Sequence, residues 1–458
     1  MVDPEYNPPA PHRWKIRPTC VVLRHAPWAG KAVLPLALCL PLALLHARAA
    51  ADILLCLIDA AFLLRCLVRR DWRWTRGHAA IAAAIWWVWL SLCSALGTGG
   101  LLLALVALRL PLLAFALGEW VLVPPGRRRV VWWVLAAAAA WIVLQTWQQY
   151  LTGSNLFGQG RWMDGALTGP FPKPRAGPAL ILILFPVLVP AILALLSRPG
   201  WASRAAAAAM ALLCVATMIL IGQRMPTVLM LLGLLLTGLL LARLRLAVAG
   251  LALAGALLLA ATPVVSPDTY AKLVVHFADQ MRHFPASTYG LIYARAIAMA
   301  RQHPWLGQGF DAFRRNCPQS AGEACNIHPH NYYLEALVDG GVPLLAAFSA
   351  MVLTLWARLG TGLRQDPTGI RTGIFVGAVL ALWPLASTSA FTSLPNAGWV
   401  FLLLGLGLAE APRSAHSDRP GANPRERLDA FWAAHPLPEP TGKRPDEAFF
   451  DDVSGQPD

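Results

Sequence analysis

The chain has 458 residues, of which 57% are hydrophobic and only 14% are charged. A soluble protein of this length would form two or three domains with about a quarter of its residues charged; charges this sparse cannot cover a water-facing surface, and lipid must replace much of it. The formal net charge of +14 does not point to nucleic acid, because no single domain concentrates the basic residues.

Residues 1–30 are polar and basic, too long for the n-region of a cleavable signal peptide, so the first apolar run is expected to remain as a membrane span. Runs long enough to cross a bilayer follow at about 31–48, 50–67, 78–96, 100–122, 130–150, 176–196, 205–222, 226–242, 246–265, 341–358, 371–390 and 396–411. The expected fold is all-α: a polytopic membrane protein of about twelve transmembrane helices over residues 31–411, with a large helical loop on one side.

The arginines lie in short clusters between these runs: Arg69, Arg70, Arg73 and Arg76; Arg127 to Arg129; Arg198 and Arg204; Arg243 and Arg245; Arg358, Arg364 and Arg371. In the twelve-span topology every such cluster falls on one side, as the positive-inside rule requires of cytoplasmic loops. Both termini fall there too, and residues 412–458 read as a polar, Pro-rich, disordered tail. The opposite, periplasmic side then carries two long segments, about 151–175 and 266–340. The second holds an amphipathic helical pattern through Tyr289, Ile292, Tyr293 and Ile297, and loops of that length are usually functional.

The densest polar cluster is Asn326-Ile327-His328-Pro329-His330-Asn331-Tyr332-Tyr333-Leu334-Glu335. Pro329 suits a first helical turn, Gly340-Gly341 stops the helix, and His330 then sits at the helix N-terminus, where the dipole disfavours imidazolium. A neutral imidazole is what a general base requires; two surface histidines are the plain alternative. Arg224 stands in a tight break, Gly222-Gln223-Arg224-Met225-Pro226, away from the basic loops. It either snorkels to the interface or holds a phosphate through a bidentate fork. Lys173, Arg175, Arg295, Arg301, Arg314 and Arg315 add cations on the same side, an excess that an anionic ligand or simple solvation would explain. Six cysteines lie in or beside apolar runs and act as small hydrophobes. Cys317 and Cys325 share the polar segment, where they either form a disulfide or remain as thiols. No zinc spacing is present.

At these residues the chain resembles the O-antigen ligase and polymerase superfamily of bacterial membrane glycosyltransferases. The likeness rests on Pro304-Trp305-Leu306-Gly307-Gln308-Gly309, then His330-Asn331-Tyr332-Tyr333-Leu334-Glu335, then Asp339-Gly340-Gly341, with Thr168-Gly169-Pro170-Phe171 and Arg224 as further matches. It covers residues from about 150 to 350, and the flanking helices only in hydropathy. Gln223 stands where relatives carry serine, Leu344 where a glycine often closes the motif, and Tyr289 where arginine is common.

The resemblance implies a periplasmic site at the inner membrane that takes a glycan from undecaprenyl pyrophosphate. The acceptor would be a sugar of lipid A–core in a ligase, or another lipid-linked repeat in a polymerase; the ligase is favoured. His330 would be the general base and Arg224 would bind the pyrophosphate, with Lys173, Arg175, Arg295, Arg314, His328 and Asn331 as candidate substrate contacts. Direct displacement would invert the anomeric centre without metal or cofactor. A transporter or lipid flippase is the rival from another class. It predicts charged or broken spans near the bilayer midplane, whereas the polar residues here gather in outer loops.

Overall fold

A computed structural model describes residues 29–97, 99–316, 328–363 and 368–411. Each predicted apolar run is occupied by a helix: α1 (Ala29–His46), α2 (Arg48–Arg69), α3 (His78–Leu96), α4 (Leu101–Val121, whose last turn is a π-helix), α5 (Pro125–Thr152), α6 (Ala176–Leu196), α7 (Trp201–Ile221), α8 (Arg224–Leu240), α9 (Arg245–Val265), α11 (Tyr332–Gly360), α12 (Gly369–Ala381) and α13 (Leu394–Glu410). The amphipathic helix α10 (Thr288–Gln302) lies between α9 and α11. Among the described residues there is no strand. Seven helices, α3 to α7, α9 and α11, are long and apolar enough to cross a membrane, and the chain is a multi-pass membrane protein.

The other helices depart from that standard for visible reasons. Helix α2 has 22 residues but carries Arg48, Asp52, Asp59, Arg65 and Arg69. Asp59, near its middle, is buried, and neither carboxylate oxygen has a hydrogen-bond partner among the described residues. Helix α12 ends at Ala381, not near 390. At about 1.5 Å per residue its 13 residues span only about 20 Å, short of a bilayer core near 30 Å. The following residues, Trp383-Pro384 and then Ser387-Thr388-Ser389, are irregular, because proline and hydroxyl side chains compete with helical backbone bonding. The second long loop is also shorter than 266–340. Asn331 caps α11, so residues 332–340 are already helical, and Gly340 and Gly341 kink that helix without ending it.

Helix α13 is apolar on every side, and its residues 397–409 are all buried, as expected of a helix surrounded by others. Helix α9 is equally apolar but almost wholly exposed, as suits a lipid-facing position. Small residues allow the central contacts: a Cβ on Gly405 would lie 2.7 Å from the Leu117 Cβ, and one on Gly118 would lie 2.6 Å from the Leu408 Cβ.

The bundle has two chemically distinct ends. At one, Arg128 pairs with Glu410 at 2.6 Å and donates to the Ala409 carbonyl, while Arg127 donates to the Gly30 carbonyl. At the other, segment 153–175 meets residues 268–272 through ion pairs, and residues 382–393 meet residues 330–335 through backbone and side-chain hydrogen bonds. This second end is called the loop face below.

Candidate active site

Segment 153–175 has no regular structure of its own, and buried amides from α5 and from the segment itself set its path. Gln149, fully buried, donates through Nε2 to the carbonyls of Gln159 and Gly160 and to Thr168 Oγ1, and its Oε1 accepts from the Thr168 and Gly169 amides. Asn155 closes an Asx turn by accepting from Phe157 N and Gln159 N, and donates to the Gly169 carbonyl at 2.7 Å. Gly169 adopts φ +57°, and a Cβ there would sit 3.0 Å from Thr146 Oγ1 and 3.1 Å from the Ala176 Cβ. The Thr-Gly-x-Phe loop is thus held from beneath by a buried amide at nearly full hydrogen-bonding capacity.

Arg224 is the first residue of α8. Its Nε donates to the Lys272 carbonyl at 3.0 Å and its NH1 to Gln280 Oε1. Lys272 pairs with Asp164, and Arg161 lies 3.5 Å from Asp268 while covering the Tyr150 ring. These contacts tie the first loop to the start of the second around the guanidinium. Tyr289 and Asp164 lie within electrostatic range of Arg224. Gln223, where relatives carry serine, accepts from Gly177 N at 3.0 Å and donates to the Pro174 carbonyl at 2.6 Å, which locks α8 to the start of α6.

The histidine pair lies just before α11. The rings of His328 and His330 are 4.3 Å apart, and the Tyr289 ring is 5.4 Å from His330. His330 is not in the first helical turn. It precedes the N-cap residue Asn331 and adopts φ +54°, because Asn331 takes the capping position by accepting from the Tyr333 and Leu334 amides. The His330 amide donates to His328 Nδ1 at 3.3 Å, so that nitrogen carries no proton. Burial, then the neighbouring His330, pulls His328 down to about 4. Burial also lowers His330, opposed in part by a backbone hydrogen bond with Thr388. Both imidazoles are therefore neutral at pH 7.

Residues 382–393 clamp this segment. Thr388 N donates to the His330 carbonyl at 2.9 Å, Asn331 Nδ2 donates to the Pro384 carbonyl at 2.6 Å, Tyr333 OH donates to the Leu382 carbonyl, and Phe391 N donates to Glu335 Oε2.

The glycine turn 304–309 and the kink 339–341 form one interlocked unit. Gly309 N donates to the Asp339 carbonyl at 2.8 Å, Val342 N donates to the Pro304 carbonyl, and the Asp339 carboxylate accepts from Asp311 N and Ala312 N. A Cβ on Gly307 would lie 2.4 Å from the Gly340 nitrogen, and one on Gly341 would lie 2.4 Å from the Pro304 carbonyl oxygen. Each glycine therefore occupies the place where the other segment's backbone passes.

The predicted site residues separate into groups. His328 and His330 pack against each other and beside Tyr289, which lies within electrostatic range of Arg224. Asn331 spends its amide on backbone groups. Arg314 is exposed, 3.9 Å from Asp311, and Lys173 is exposed. Arg295 is half-buried in α10, and its Nε has no hydrogen-bond partner among the described residues. Cys317 and Cys325 lie outside the described residues. Tyr289, Gln149 and Gln280 were not singled out as site residues. Tyr289 is visible in sequence as an amphipathic position and as a departure from the arginine common in relatives, and isolated glutamines give no pattern.

Helices of membrane length and a half-buried arginine and histidine pair at one end define a multi-pass membrane protein with a polar site on its loop face. Residues 208–349, which include Arg224, Tyr289, His330 and the glycine lock, match the family model described as O-antigen ligase. That match supports the O-antigen ligase and polymerase superfamily, whose members are membrane glycosyltransferase-like ligases and polymerases. No curated protein matches the chain.

Proposed function

We propose that the protein transfers a glycan from undecaprenyl pyrophosphate to a sugar hydroxyl of lipid A–core, at the periplasmic face of the inner membrane. The acceptor oxygen attacks the anomeric carbon. The new C–O bond forms as the bond to pyrophosphate breaks, the electron pair leaves with the pyrophosphate, and the hydroxyl proton passes to His330. The anomeric centre inverts.

The observation that carries this reading is a neutral imidazole beside the Tyr289 ring and, on the same loop face, a guanidinium fixed by the Lys272 carbonyl and Gln280. A pyrophosphate leaving group is already anionic, so cationic stabilisation serves it better than a general acid. The Arg224 fork, oriented by the Lys272 carbonyl and Gln280, suits that task. Neutral His330 suits the acceptor proton.

Reconstitution with a lipid-linked glycan and separate candidate acceptors tests the reading. Extension of lipid A–core supports a ligase. Growth of the lipid-linked repeat alone would replace it with a polymerase, and no transfer to either acceptor would overturn both.

A further inference from the structure

Helices α6 to α9 leave a space between them at the end of the bundle opposite the loop face. It is a cavity of about 350 Å³, a size usual for small-molecule sites. Phe185 and Leu188 of α6 and Leu234 of α8 form its buried inner wall. Ala208 and Leu212 of α7 and Gly250 of α9 also line it but are exposed, so it opens sideways between α7 and α9. Toward the loop face α9 closes on α7, where a Cβ on Gly255 would lie 3.1 Å from Val215 Cγ1. From Leu244 to Ala254 the lining runs about 15 Å along the chain. That is half of a hydrocarbon core of about 30 Å, the depth of one leaflet.

The wall is apolar except at two residues, Thr237 and Arg204. Thr237 Oγ1 donates to the Gly233 carbonyl at 2.7 Å and is satisfied within its own helix. Arg204, in the first turn of α7, is exposed and has no hydrogen bond or ion pair among the described residues. Between Asp164 and Asp268 the sequence holds no acidic residue, whereas Arg198, Arg243 and Arg245 stand at the ends of the same helices. The positive-inside rule accounts for basic loops, but not for an arginine that lines an apolar cavity. The space thus offers an aliphatic chain an apolar slot and its head one unneutralised cation.

We propose that this cavity binds an anionic phospholipid of the leaflet on the basic side, with one acyl chain in the slot and the phosphate on Arg204. The inference needs only the multi-pass fold and stands apart from glycan transfer. A zwitterionic lipid fits less well, because its headgroup brings a further cation to a basic rim. A polyprenyl tail reaching down from Arg224 would use the apolar wall and leave Arg204 unanswered. Helix α9 packs chiefly against α7 and α8, and the bound chain fills the gap that this leaves.

The test is lipid retention by the full chain in detergent, read by native mass spectrometry after equilibration with dioleoyl-phosphatidylglycerol or dioleoyl-phosphatidylcholine, with melting temperature as the check on folding. The wild type should hold one phosphatidylglycerol and prefer it by about ten-fold or more. Arg204→Gln should erase that preference and Arg204→Lys should keep most of it. Arg198→Gln, at a residue that does not line the cavity, should change nothing. Gly250→Phe adds a ring where a Cβ meets nothing within 4 Å and replaces glycine by a better helix former, so it should fold and yet lose both lipids.

No preference in the wild type, a preference that survives Arg204→Gln, an equal loss in Arg198→Gln, or full retention in Gly250→Phe would each overturn the site. An isoprenoid held in the wild type in place of phosphatidylglycerol would overturn it too, and give the cavity to the donor's tail. No arm of the experiment measures transfer, so failure of this site and failure of the transferase reading are seen separately.

Discussion

Replacing His330 separates chemistry from folding, because the backbone at this position is itself unusual. Its φ of +54° lies in the left-handed region, which costs a residue with a Cβ about 1–2 kcal/mol. His330→Ala removes the imidazole and keeps that cost. His330→Gly removes both, at an unfolded-state entropy penalty of roughly 0.5–1 kcal/mol. The glycine variant should therefore be as stable as the alanine variant or more so, by up to about 1 kcal/mol. Both should lose turnover by about 10²–10⁴-fold, and thermal unfolding in detergent beside initial transfer rates reads the two effects separately.

The wild-type pH profile adds a second readout. A general base works in its neutral form, and burial lowers the His330 pKa, so protonation is deferred to lower pH. The rate should stay level down through the ordinary imidazole value near 6.5 and fall only below it. An acid limb centred at or above about 6.5, or a His330→Gly enzyme within ten-fold of wild type, would refute the assignment of the base.

Arg224→Lys keeps the charge but cannot reproduce two directed donations to the Lys272 carbonyl and Gln280; transfer should fall at least about ten-fold while the protein still inserts, and unchanged donor affinity in both Arg224→Lys and Arg224→Ala would mean the side chain only snorkels. Gly341→Ala places a Cβ 2.4 Å from the Pro304 carbonyl oxygen at φ +69°, so it should cost about 1–2 kcal/mol for the backbone and about 1–3 for overpacking; an unaltered melting temperature would disprove the lock. His328 folds with its pKa at about 4, so below its unfolded value near 6.5 the unfolded chain binds a proton that the fold excludes. Stability should be full above that value and fall as the pH drops from it toward about 4, and His328→Gln should flatten the slope of melting temperature against pH.

The helices were legible because each is announced by its own residues: the runs read at 78–96 and 176–196 coincide with α3 and α6. Hydropathy cannot see where such a run stops being helical, and α12 gives way at Ala381 to an irregular segment that keeps an apolar character. That segment supplies the clamp on His330, Asn331 and Glu335, and those partners lie more than fifty residues apart in the chain, beyond the reach of any local pattern. The Asn331 cap is local, by contrast, and its place two and three residues before the amides it accepts from is an N-terminus signal. Reading Pro329 as the first helical residue displaced His330 into the helix.

The motif residues divide by task once their contacts are known. Gly307, Gly309, Asp339 and Gly341 spend their backbones and one carboxylate on each other's segments, while Asn331 and Glu335 spend theirs on residues 384–391. Most of the recognisable sequence therefore fixes the position of a short stretch at the head of α11. A site that must hold a base against a mobile, membrane-borne sugar needs that rigidity, since a small displacement of the base removes most of its effect. At the head of that stretch the His330 imidazole lies 5.4 Å from the Tyr289 ring, where the scaffold fixes its backbone through the Thr388 amide.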